Sequence, residues 1–201
     1  MAVKQRVELG ILDETVRVGE HIAYFWEDEK EFVRGVNFLA VGLRGNDHGV
    51  IFGHEDANEK VLETLRGQGI AVDDLLASGR LTVLGGASAG DKMLATIGAC
   101  FQKAVDGGCD LIRLLGNIGW GHPDWPGQED ILAFEAKVTG AAKAFPCVVL
   151  CMYDVDSLPG RVMVHGAFET HPLTFCRNVL RENPYFVDVD EFKKGMPAAT
   201  L

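Results

Sequence analysis

Four predominantly apolar runs constrain this chain more than any other feature: "HGVIFG" (48–53), "RLTVLG" (80–85), "CDLIRLLG" (109–116) and "PCVVLCMYD" (146–154). None alternates polar with apolar residues from end to end, as a strand with one wet face would. Helix-like segments separate them. "EDEKEFVRGVNFLAVGL" carries acids in its first turn and repeats Phe32, Val36, Leu39 and Leu43 at helical spacing. "ANEKVLETLRGQG" and the short "VDDLLASG" close on glycine, a common helix stop. "DKMLATIGACFQKAVDGG", "QEDILAFEAKVTGAAKA" and a weaker "LPGRVMVHGAF" complete the helical set, while "HIAYFW" (21–26) and "HPLTFC" (171–176) add short strands. "GVIFG" is the first clear parallel strand of the pattern. Strands buried on both faces and joined by helices make a mostly parallel sheet, so the expected fold is α/β, with helices flanking a central sheet. No repeat, low-complexity tract or linker divides the chain, and one domain over residues 1–201 is expected.

Composition narrows the function classes. The net charge of −10 opposes a nucleic-acid surface, which needs clustered Lys and Arg. No run reaches the length of a membrane span, and "MAVKQRVELGILDETV" lacks the apolar core of a signal peptide, so a cytoplasmic location is expected. The five cysteines, Cys100, Cys109, Cys147, Cys151 and Cys176, form no C-x-x-C pair and read as free and reduced. Cys147 and Cys151 share one strand face, as packing residues.

"LTVLGGASAGDKML" (81–94) has the strand–loop–helix outline of a phosphate-binding loop, with Gly85 and Gly90 at the spacing of G-x-x-x-x-G-K-[S/T]. Asp91, however, stands where the lysine belongs, Lys92 comes one residue late, and Met93 replaces the magnesium-binding hydroxyl. One residue turns a helical side chain by about 100°, and an aspartate repels phosphate. "GVIFG" leads into "HEDANEK", with three acids and no glycine loop. The shape of a nucleotide site is present without its chemistry.

In such sheets ligands bind beyond the C-terminal strand ends, which places the candidate site at His54, Gly85–Gly90, Gly116–Asn117 and Tyr153–Asp154. The six histidines show no H-x-H, no H-E-x-x-H and no Cys/His grid, so spacing names no metal ligands. No G-x-S-x-G elbow or recognisable nucleophilic cysteine is present, and no catalytic residue is expected. "GNIGWGHPDWPGQED" (116–130) sets Trp120 in a loop straight after a strand, where an aromatic lines a pocket or caps a core. Glu135 interrupts the apolar stretch "ILAFEAKV", where a carboxylate needs a partner or a cavity margin. "ENPYF" (182–186) reads as a turn that packs Tyr185 and Phe186 back on the body.

Together "GEHIAYFWEDEKEFVRGVNFLAVGL" (19–43), "VDDLLASGRLTVL" (72–84), "LGNIGW" (115–120), "ILAFEAKV", "VVLCMYD" (148–154), "HPLTF" (171–175) and "ENPYF" resemble the MEDS domain, the methanogen/methylotroph sensory domain named for the dichloromethane-responsive repressor. The resemblance implies a RecA/KaiC-like, three-layer domain that has lost its phosphate loop and senses small organic molecules without a cofactor. It puts His21, Trp120, Glu135, His171 and Tyr185 at family positions. With Tyr24, Tyr153 and Asp154 they form the candidate ligand-binding set, His21 being expected beside Tyr24 and Trp26. Many members carry a DNA-binding or kinase domain in the same chain. Here no residues remain for one, so the expected output is a separate signalling or transcription-regulatory protein. A homo-oligomer follows by fold analogy alone. Two rivals stand beside this reading: a residual nucleotide hydrolase using Lys92 and Asp154, and a pure protein-interaction module.

Overall fold

The computed structural model describes residues 6–85, 90–117 and 128–187. Its elements run β1 (Arg6–Glu8), β2 (Thr15–Arg17), β3 (His21–Trp26), α1 (Glu29–Leu43), β4 (His48–Gly53), α2 (Glu55–Gly67), α3 (Val72–Ala77) and β5 (Leu81–Leu84). After these come α4 (Gly90–Asp106), β6 (Ile112–Asn117), α5 (Gln128–Ala142), β7 (Cys147–Asp154), a π-helix (Val162–Phe168), β8 (Leu173–Cys176) and β9 (Val179–Glu182). Seven strands make one sheet in the order β5-β4-β6-β7-β3-β8-β9, parallel throughout except for β9. This is the expected α/β architecture of a mostly parallel sheet between two layers of helices. "HIAYFW", rather than "GVIFG", is the first strand of the parallel set, and it lies between β7 and β8.

Side chains of a strand alternate between faces, so the buried strands each feed two cores. Ile22, Tyr24, Ile51, Leu115, Leu150, Met152 and Phe175 pack with α1, α2 and α3 on one side. On the other, Ala23, Phe25, Val50, Phe52, Leu114, Val149, Cys151 and Tyr153 pack with α4, α5 and the π-helix. The handedness of βαβ crossovers explains the division. Connections running one way along the sheet put helices on one face, and those running back put them on the other.

Three features were not legible in the sequence, although "HPLTFC" was read as the strand that β8 is. β1 and β2 form a three-residue hairpin too short to show a period. β8 and β9 meet in a two-residue turn whose residues, Arg177 and Asn178, have φ of 46° and 66°. That is the left-handed geometry of a type I′ hairpin without its usual glycine. "LPGRVMVHGAF", expected as a weak helix, is π-helical over Val162–Phe168.

A buried ion pair ties the N-terminal hairpin to the sheet. Arg113 on β6 donates from Nε to Asp47 Oδ2 at 2.6 Å, and its other nitrogens reach the carbonyls of Phe38 and Glu8 at 3.2 and 2.9 Å. Gly42 makes room for it, because a Cβ there would lie 2.5 Å from Arg113 Nε. Removing one partner of a buried pair strands the other charge. Asp47→Ala is therefore expected to cost about 3–5 kcal/mol in a urea titration. Glu29→Ala, which breaks the exposed 2.8 Å pair with Lys60, should cost less than about 1 kcal/mol.

Candidate functional site

The strongest concentration of chemistry lies against the middle of the sheet's second face, where four ionisable side chains meet out of contact with water. His21 opens β3 and Cys151 sits in β7; both point to the face covered by α5. Glu135 and Thr139 are four residues apart on α5 and so project from one side of it. His171 follows the π-helix, with Pro172 behind it disfavouring further helix, and its imidazole is buried and held by the Ala167 carbonyl. His21, Glu135 and His171 are 0% exposed and Cys151 3%. His21 Nε2 is 3.2 Å from Cys151 Sγ and 3.4 Å from Glu135 Oε2. The same carboxylate oxygen is 3.7 Å from Cys151 Sγ and 3.8 Å from His171 Nε2. The two imidazole rings are 3.8 Å apart between centroids. Opposite Cys151 on β6 stands Gly116, where a Cβ would come within 3.0 Å of the sulfur.

Hydrogen bonding fixes both imidazoles. Thr139 donates its single hydroxyl proton to the Thr170 carbonyl at 2.8 Å, so its oxygen accepts from His21 Nδ1–H at 2.9 Å. His171 Nδ1–H donates to the Ala167 carbonyl at 2.9 Å, with Thr170 Oγ1 2.8 Å from the same nitrogen. Thr170 in turn donates to the Gly166 carbonyl. In each neutral ring, then, Nδ1 holds the proton and Nε2 turns a lone pair on Glu135 and Cys151. His171 Nε2 has no hydrogen-bond partner although it is buried. Tyr153 donates to the Gly166 carbonyl at 3.1 Å, and its oxygen lies 3.5 Å from Glu135 Oε1.

Loss of water decides the protonation states. Burial pushes the Glu135 carboxyl up to about 7, against the opposing pull of His171 and the Cys151 and Tyr153 hydrogen bonds. Burial likewise lowers His21 and His171 to about 3. The Cys151 thiol and Tyr153 phenol are raised well above their usual values, by burial first and then by the Glu135 charge. In the protein alone the imidazoles, the thiol and the phenol are held neutral, while Glu135 changes charge near neutral pH.

Glu135 and Cys151 also line a small, almost wholly apolar cavity under α4 and α5, together with Phe52, Leu94, Ile97, Phe134 and Val138. Its volume is about 20 Å³, enough for one or two heavy atoms without rearrangement. Wider hollows of about 500 and 550 Å³ open at the N-terminal ends of the strands and include none of the four clustered residues.

The expected ligand-binding set is thus divided. His21, Glu135, Tyr153 and His171 come together. Tyr24 does not: three residues from His21 on a strand, it faces the opposite core and donates to the Glu31 carbonyl at 2.7 Å. Trp26 packs on that side as well, so His21 has neither aromatic beside it. Asp154 closes β7 by accepting from Asp156 N–H at 3.1 Å, and Tyr185, 68% exposed, rests its ring edge on Phe168 5.9 Å away. Trp120 lies outside the described residues. The cluster lies on the sheet face rather than beyond the C-terminal strand ends, and it adds Cys151, Thr139 and Thr170. The spacing of Cys147 and Cys151 gave their shared face, but only pairing β7 with β3 brought the sulfur to His21.

The described strand–helix junctions bear on the nucleotide rival. α1 begins at Asp28 with Glu29 and Glu31 in its first turn, and α2 at His54 with Glu55 and Asp56. Carboxylates at helix N-termini occupy the positions that would attract a phosphate. β5 is an edge strand, and residues 86–89 of the glycine loop after it lie outside the described residues.

Thr139→Val keeps the side-chain shape but strands the His21 N–H and the Thr170 carbonyl. A loss of at least about 2 kcal/mol by chemical denaturation is expected, with Thr139→Ser retaining most of the stability. Equal stability of the valine and serine variants would contradict the assigned tautomer.

A family model for MEDS, the methanogen/methylotroph DcmR sensory domain, matches residues 20–172, a span that holds the whole cluster. No curated protein matches the chain. With the match covering most of its length, the chain belongs to the MEDS sensory-domain family.

Proposed function

We propose that this domain is a non-catalytic sensor that takes a small organic molecule, of the hydrocarbon-derivative class, into the cavity beneath α4 and α5, which widens by side-chain movement to admit a guest of more than one or two heavy atoms. The observation carrying this reading is an almost wholly apolar cavity with Glu135 and Cys151 on one side, backed by His21 and His171. An apolar chamber with a single polar pole selects a compact guest carrying one hydrogen-bonding or electronegative group. The family's sensory character supports the same conclusion.

Occupancy is passed to a separate signalling or transcription-regulatory protein by a shift between two states of the domain. The π-helix is the element placed to carry it: its Gly166 and Ala167 carbonyls hold Tyr153 and His171, while Val164 on the same segment is 48% exposed. π-Helical turns are frequent at functional sites.

The test is thermal unfolding of the purified protein against a panel of one- to three-carbon alcohols, amines, thiols and haloalkanes, dichloromethane included. A ligand at a hundredfold its Kd stabilises by about 2.7 kcal/mol, which for a domain of this size raises Tm by roughly 5–10 °C. Leu94→Phe, which fills the cavity mouth, is expected to weaken binding at least tenfold with little change in the unliganded Tm. If no panel member moves Tm, and native and denatured masses agree for freshly purified protein, the sensor reading fails.

A further inference from the structure

We propose that His21 Nε2, His171 Nε2, Cys151 Sγ and the Glu135 carboxylate form a tetrahedral site for one divalent transition-metal ion of the zinc type. The proposal deepens the sensory reading, because Glu135 and Cys151 also line the cavity. It stands on the geometry of the four side chains, whether or not an organic guest binds.

Distance is the first argument. Bonds of about 2.0–2.3 Å to nitrogen, oxygen and sulfur put the corners of a tetrahedron about 3.3–3.8 Å apart. The four pairs with measured separations fall at 3.2, 3.4, 3.7 and 3.8 Å, and all four ligand atoms lie within 4.8 Å of one another. An ion at their centre requires only small side-chain adjustments.

The orientation of the donors is the second. A metal takes the unprotonated imidazole nitrogen, and the other nitrogen usually donates to a carbonyl or hydroxyl that fixes the ring. Both histidines already have that arrangement: Nδ1–H is engaged by Thr139 or by the Ala167 carbonyl, and Nε2 converges on the centre. His171 Nε2 is a fully buried polar atom with no hydrogen-bond partner, an orphan that a metal bond would satisfy.

Charge is the third. A thiolate and a carboxylate cancel a dication, so Cys151 and Glu135 release their protons and the buried centre stays neutral overall. Sulfur with two imidazoles selects a zinc-type ion over magnesium or calcium, which prefer all-oxygen shells. Among the described residues these four are the one group of His, Cys, Asp and Glu with ligand atoms gathered this closely. The cluster is sealed from solvent, so metal uptake is coupled to folding.

The test uses the full-length, tag-free chain, unfolded with a chelator and refolded with Co²⁺ alone as the probe. Expected are one equivalent of bound cobalt, tetrahedral-intensity visible bands and a thiolate-to-cobalt charge-transfer band. Cys151→Ser should abolish the charge-transfer band, and Thr139→Val should lower cobalt affinity about 10–100-fold through the His21 ring. Two results overturn the site: wild-type protein that refolds, as judged by circular dichroism, without taking up cobalt; or a charge-transfer band that persists in Cys151→Ser, which would assign the metal to another thiol such as Cys100 beside His48. Should Cys151→Ser fail to fold, the wild-type stoichiometry and band intensities still decide. Repeating the organic panel on chelator-treated protein separates the two readings, since guest binding without cobalt uptake leaves the sensor standing and removes the metal.

Discussion

A sheet sealed on both faces is the constraint on which everything else depends. With helices over each side there is no water to satisfy a polar atom on a central strand, so any such atom must be matched inside the protein. Most strand positions avoid the problem with Val, Ile, Leu, Phe and Ala. Where His21 and Cys151 break that rule, the chain answers with Glu135 and Thr139 from α5 and with Thr170 and His171 from the segment after the π-helix. The partners come from two separate parts of the chain, and together they fasten α5, the π-helix and two neighbouring strands around one point.

That point is an expensive place for unpaired charge. Burial drives the imidazoles and the carboxyl toward their neutral forms, and in that state the cluster closes most of its hydrogen bonds but leaves His171 Nε2 without one. A dication would exchange this neutral arrangement for a charged but balanced one. The outer hydrogen bonds of His171, Thr170 and Tyr153 end on the Gly166 and Ala167 carbonyls of the π-helix, and that of His21 runs through Thr139 to the Thr170 carbonyl just after it, so the cluster is tied to one short, irregular element.

Local patterns carried the fold. The apolar runs at 48–53, 109–116 and 146–154 showed strands buried on both faces, and helical spacing with glycine stops placed α1, α2 and α3. What local pattern missed was what local pattern does not encode: a three-residue hairpin, a type I′ turn at Arg177–Asn178, and the π-helical winding of "VMVHGAF". Half of the candidate site was anticipated, but only Glu135 for a chemical reason, since a carboxylate among apolar neighbours is costly unless partnered. His21 and His171 came from the family resemblance. Tyr24 was misplaced beside His21 because closeness in sequence was read as closeness in space, whereas strand alternation put them on opposite faces.

By itself, then, the sequence determined which segments are strands and helices, that the sheet is mostly parallel, and which buried polar residues need explaining, because periodicity, turn chemistry and the cost of burying charge are properties of short segments. Tertiary structure alone decided that Cys151 is the sulfur facing His21, that both imidazoles turn Nε2 inward, and that the cluster lies on the sheet face rather than at the strand ends. Those outcomes depend on strand order, register and crossover side, which are set by contacts between residues as far apart as His21 and Cys151.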